Sequence, residues 1–143
     1  MRTNRFFENG LPEVLWLLPL ECSGLSFDVR SEYVELLWLA VLGPSATWLV
    51  RRLWTLAVAF PQGTWIDTAE LSISIGLGAG RGLVTRSLRR LVMFGAAGSE
   101  PGDVLRARTR LGPVSDRTLE RLPAVLVAEH HRWCALLHTR AAA

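Results

Sequence analysis

LVTRSLRRLVMFGAAGSEPGDVLRARTRL, residues 83–111, changes its period half-way along. Val84, Leu88, Leu91 and Val92 recur at the i, i+4, i+7, i+8 spacing of a packed helix face, while Thr85, Arg86, Arg89, Arg90 and Met93 fill the remaining arc. Gly95 suits the left-handed residue that ends a helix. After the turn residues Gly98, Ser99, Glu100, Pro101 and Gly102 the chain alternates. Val104, Arg106, Arg108 and Arg110 fall on one side, and Leu105, Ala107, Thr109 and Leu111 on the other. That is the pattern of a half-exposed strand. The stretch predicts a basic helix followed directly by a two-stranded hairpin.

Upstream, a glycine-rich connector runs from Gly76 to Gly82 and leads into the basic helix. Before it, Asp67 or Thr68 caps a short helix over Ala69, Glu70, Leu71 and Ile75, and Trp65-Ile66 reads as extended. A helix from Ser45 to Ala59 presents Trp48, Leu49, Leu53, Leu56 and Phe60 as a stripe, with Pro44 in its first turn. Another runs from Ser31, its N-cap, to Leu42, and Gly43 ends it. Residues 1–30 read as an irregular lead-in, with a short helix from Glu13 to Leu18 stopped by Pro19. Downstream, Gly112-Pro113 ends the hairpin, Ser115 or Asp116 caps a helix to Leu122, and Pro123 starts a last helix reaching Leu137. Leu126, Val127, His130, Cys134 and Leu137 line its expected buried side.

The whole chain bounds the function. Its 143 residues suit one domain, and 50% hydrophobic residues suffice for a core. All sixteen basic residues are Arg, a usage that fits a GC-rich bacterial genome or its phages. Residues 81–110 hold seven Arg against Glu100 and Asp103, whereas residues 1–80 hold five Arg against eight acids. A positive field concentrated in one stretch is the footprint of an anion-binding surface; a solvated basic face is its plain alternative. The apolar stretch from Tyr33 to Phe60 is interrupted by Glu35, Gly43-Pro44 and Arg51-Arg52, so it reads as two packed helices and not as a membrane span. The Leu11–Leu20 run, broken by Pro12, Glu13 and Pro19, makes a poor signal peptide. Cys22 and Cys134 form no disulfide framework.

Several chemistries fail on detail. A phosphate-binding P-loop needs Lys, which the chain lacks, and a dinucleotide fingerprint starting at Gly76 and Gly78 would need glycine where Arg81 stands. His130, Cys134 and His138 share a helix face, but the outer pair lie about 12 Å apart along the axis, too far for one metal ion. No catalytic constellation or cofactor motif occurs. The expectation is therefore a protein that is not an enzyme, with no cofactor and no metal.

The order helix, helix, short helix, glycine turn, basic helix, hairpin, helices over residues 31–122 resembles the winged helix-turn-helix superfamily. The part of the sequence carrying most of this is Val84 to Gly95, which looks like a recognition helix. Leu37 to Ala46, the glycine loop and Leu122-Pro123 are similar to small uncharacterised winged-helix proteins of actinobacteria and their phages or mobile elements. The resemblance implies a mainly α fold with a small β-hairpin wing. Residues 1–30 would be an N-terminal extension, 31–122 the winged domain, and 123–143 a C-terminal helix and tail.

It also implies a cytoplasmic, nucleoid-associated transcriptional regulator that binds double-stranded DNA. Arg86, Arg89 or Arg90 would reach base edges in the major groove, and Thr85 and Ser87 would hydrogen-bond phosphate. Arg81 would join them from just before the helix, and Arg106, Arg108 and Arg110 would lie along phosphates or in a minor groove. A homodimer through the Trp-rich N-terminal helices is the expected assembly. The alternative is a protein-interaction module on the same fold, such as a phage factor that binds a host protein.

Overall fold

The computed structural model describes residue 7 and residues 10–142, with side chains as far as residue 139. Its centre is a strand from the segment expected to be a lead-in. Strand β1 (Val14–Leu20) pairs antiparallel with β3 (Thr64–Asp67) on one side and parallel with β5 (Val104–Arg108) on the other. Strand β4 (Ala97–Glu100) pairs antiparallel with β5, which gives a mixed four-stranded sheet in the order β3-β1-β5-β4. Two short strands, β2 (Phe27–Asp28) and β6 (Arg110–Leu111), form a separate ladder.

This corrects the expected winged helix-turn-helix with a hairpin wing: the protein is an α/β fold. The hairpin β4–β5 is no projecting wing, because β1 lies along the free side of β5. The reason is the apolar character of Val14–Leu20. Leu15 and Leu17 are fully buried on the helix-covered face, and Trp16 and Leu18 are half-buried on the other. Pro19 is tolerated there. Trp16 N–H donates to Asp103 O at 2.9 Å, so even-numbered N–H groups of β1 face β5 and odd-numbered ones face β3. Pairing with β3 ends at Leu17, so the N–H that Pro19 lacks would have had no strand to meet.

The short helix expected from Glu13 to Leu18 is absent, because β1 runs there; the other helices come close to expectation. A π-turn (Val34–Trp38) runs into α1 (Leu39–Leu42), and Gly43 breaks the chain at φ 83° before α2 (Pro44–Ala59). Helix α3 (Thr68–Ser74) is capped by Asp67, whose carboxylate accepts from Glu70 N–H at 2.9 Å. Helix α4 (Gly82–Met93) ends at Gly95, φ 75°, as its sequence predicts. Short α5 (Asp116–Leu119) is capped by Ser115, and α6 (Ala124–Ala142) closes the chain. Helix α2 packs on β1, β5 and α4, and α6 packs on the π-turn. Buried Leu49, Leu53, Leu88, Leu91 and Leu105 join Leu15 and Leu17 in one core. No described helix is long and apolar enough to cross a membrane.

The residues before β1 are held by side chains. Thr68, fully buried, donates through Oγ1 to Pro12 O at 2.9 Å, and its N–H donates to Glu13 O at 2.9 Å. Within the expected extension, residues 1–6, 8 and 9 lie outside the described residues.

Gly63 precedes β3 at φ 108°, and a Cβ there would overlap the indole of Trp16. Trp16 in turn meets Trp65 edge-on, with centroids 4.9 Å apart. Gly63→Ala therefore combines a left-handed alanine with a displaced indole. The expected cost is about 1–3 kcal/mol, read as a lowered midpoint in urea. An unchanged midpoint would show that Trp16 does not rest on this backbone.

Candidate nucleic-acid interface

Helix α4 is amphipathic in the way its sequence predicts. Val84, Leu88 and Leu91 are fully buried, whereas Leu83, Arg86, Arg89, Arg90 and Met93 are exposed. It contains no acidic residue. The glycine connector before it is fixed by Ser72, whose buried hydroxyl lies 2.7 Å from Gly78 O and 3.2 Å from Gly80 O. Leu77 N–H also returns to Ser72 O at 2.9 Å. One buried serine thus gives a glycine-rich segment a defined path into α4.

The arginines of residues 81–110 divide sharply. Arg108 donates from Nε to Gly95 O at 2.7 Å and from Nη1 to Glu21 O at 2.9 Å. Arg110 holds both Oγ and O of Ser26 at 2.8 Å. Arg106 is paired with Glu100 and reaches Pro19 O at 3.4 Å. These three clamp the strand β1 and the loop after it onto β5 and β6. Carbonyl oxygens are acceptors that a fan of guanidinium donors satisfies well, and the alternation that suggested phosphate contacts equally serves this purpose.

Arg81 reaches Leu11 O at 3.5 Å and Glu13 at 3.7 Å, and Thr85 donates to Arg81 O at 2.6 Å. Arg90 donates from Nη2 to Val41 O at 2.8 Å, which anchors it over the last turn of α1, and its guanidinium lies 5.2 Å from the Phe94 ring. Arg89 lies 5.2 Å from the ring of Phe7. Arg86 has no hydrogen bond, ion pair or ring contact among the described residues. No protein family, curated protein or solved structure matches this chain. The geometry of these side chains therefore carries the functional argument.

One feature of this region was not read from the sequence. The start of α2 faces α4 across a pocket of about 230 Å³ lined by Gly43, Pro44, Ser45, Ala46, Arg86, Ser87 and Arg90 among others. The available signal was Gly43-Pro44, a helix start without a side-chain cap.

The histidine and cysteine cluster of α6 proves to be structural in its contacts. His130 is buried and its Nδ1 lies 2.9 Å from Tyr33 Oη, which also accepts from Val114 N–H at 2.9 Å. Cys134 Sγ lies 3.7 Å from His130 Nε2, and burial pushes its thiol above the ordinary value. Among the described residues no group of three His, Cys, Asp or Glu side chains is placed to hold a metal ion.

Proposed function

We propose that the protein binds double-stranded DNA through the outward face of α4. The observation that carries this reading is the state of Arg86 and Arg89. Both stand exposed within one turn of an acid-free helix, and neither has a carboxylate or carbonyl partner among the described residues. The other arginines of residues 81–110 are engaged within the chain. A helix about 18 Å long with unneutralised guanidinium groups on its open side suits a groove edged by phosphates.

Duplex affinity measured across a salt series tests the proposal. The Arg86→Ala, Arg89→Ala double variant should keep its fold, bind at least about tenfold more weakly, and lose about two units from the slope of log K against log salt. Arg108→Ala should loosen the fold instead, because it releases Gly95 O and Glu21 O. Undiminished duplex binding by the double variant would refute the assignment of α4.

The protein-interaction reading draws on Trp65, 62% exposed on the edge strand β3. A stoichiometric protein partner that survives nuclease treatment, and is lost with Trp65→Ala, would favour it.

A further inference from the structure

The pocket between α2 and α4 has the makings of an anion site. Pro44 occupies the first position of α2, and the first intrahelical bond of the helix is Thr47 N–H to Gly43 O at 3.1 Å. The N–H groups of Ser45 and Ala46 therefore have no partner among the described residues, and Gly43 supplies no side chain to cap them. They sit at the positive end of a sixteen-residue helix.

Three polar side chains of α4, beside Leu83, complete the lining. Ser87 is only 7% exposed and lines the pocket, yet its hydroxyl has no hydrogen-bond partner among the described residues. Other helical hydroxyls, those of Thr47, Thr55, Thr85 and Thr139, bond back to the preceding turn. Ser87 does not, which leaves an unpartnered hydroxyl on a buried residue that lines the pocket. Arg90 is held at the rim by Val41 O, and Arg86 is free to close from outside. No acidic residue lines the space.

We infer that this pocket binds a phosphoryl group, held by the Ser45 and Ala46 amides, the Ser87 hydroxyl and the guanidinium groups of Arg86 and Arg90. A tetrahedral, multiply charged oxyanion matches donors that converge from a helix end and from planar guanidinium forks. The phosphate is either a duplex backbone phosphodiester or that of a small phosphorylated compound. The inference shares Arg86 with the duplex reading but stands without it.

The probe is inorganic phosphate, titrated into the isotope-labelled intact chain at constant ionic strength while amide resonances are followed. Saturable shifts should centre on Ser45 and Ala46. Arg86→Ala should weaken the binding on the order of tenfold. Ser87→Ala should weaken it as well while leaving the thermal midpoint unchanged, because the hydroxyl it removes bonds nothing in the unliganded fold. Absence of saturable shifts at Ser45 and Ala46, or binding untouched by both substitutions, would overturn the inference.

Adding duplex DNA separates the sources. Displacement of phosphate by duplex identifies the backbone phosphodiester as the occupant. Phosphate binding that duplex leaves intact identifies a small phosphorylated ligand. Phosphate binding in a chain that takes no duplex would remove the DNA reading and leave this pocket standing.

Discussion

Leu17→Asp should leave the chain unfolded at all temperatures, and deletion of residues 1–30 should do the same. Leu17 is fully exposed to the core and to nothing else: it has no solvent-accessible surface, and its strand lies between β3 and β5. A carboxylate there would be a buried charge without a partner, a burden comparable to or larger than the roughly 5–15 kcal/mol that holds a typical domain together. The milder Leu17→Ala should cost about 2–5 kcal/mol, leaving a folded protein with a much lower midpoint. Deletion removes more than side chains, since among the described residues β3 has no strand neighbour except β1. Circular dichroism with a urea titration reads all three. As a control, Val125→Ala, at a side chain 70% exposed, should move the midpoint by no more than about 0.5 kcal/mol. A cooperative unfolding transition in the truncated chain would show that residues 14–20 are the appendage their sequence suggests.

That contrast explains which parts of the fold were legible. Helix α4 declared itself because Val84, Leu88 and Leu91 alternate with arginine at helical spacing, and β5 because arginine alternates with Leu105 and Ala107. Asp67, Gly95 and Ser115 marked element ends through local chemistry that does not depend on distant residues. Val14–Leu20 offers no such contrast. Its residues are apolar on both faces, since one side meets the core and the other carries half-buried Trp16 and Leu18, so periods of 2 and 3.6 read alike. Its place between β3 and β5 is set by pairings about fifty and ninety residues away in the chain, Leu15 with Ile66 and Leu17 with Leu105. That strand makes a mixed sheet of what the sequence reads as a free hairpin.

The candidate site was legible in its charges and not in their engagement. Arginines 86, 89, 106, 108 and 110 look equivalent in sequence. Whether each faces solvent depends on which carbonyl its guanidinium can reach, and one acceptor of Arg108 and both acceptors of Arg110 lie in a segment, residues 21–26, that the sequence reads as irregular. Thr85 and Ser87 read alike as phosphate donors, because nothing local distinguishes an unbonded helical hydroxyl from one bonded to the previous turn, as that of Thr85 is to Arg81 O.

The chain's single tyrosine should titrate near pH 12 in the folded protein and near 10 in urea. Tyr33 is fully buried, stacked on Phe27 with centroids 3.7 Å apart, and burial is the main cause that pushes its phenol up to about 12, against the opposing Val114 N–H. Its oxygen accepts from Val114 N–H and lies against His130 Nδ1, and which of these two groups donates to the other follows the His130 tautomer. Burial, with His131 alongside, holds the His130 pKa below its ordinary 6.5 despite Asp116.

The two shifts have opposite consequences at the two ends of the pH scale. Between pH 10 and about 12 the unfolded chain has lost the phenol proton that the folded chain retains, so stability falls as pH rises through that window. Below 6.5 the unfolded chain binds a proton at His130 that the folded chain refuses. Stability therefore falls as pH drops from 6.5 toward the lower folded value, by at most about 1.4 kcal/mol per pH unit. Tyr33→Phe should remove the phenol's share of the alkaline loss, leaving that of the buried Cys134 thiol, and cost about 1–3 kcal/mol at neutral pH, because it strands the Val114 N–H in the core. Phenolate absorbance of the native protein, followed against pH alongside the unfolding midpoint, measures both effects. A native titration midpoint at the ordinary value of 10 would mean that Tyr33 is solvated and that the contact between α6 and the π-turn is open.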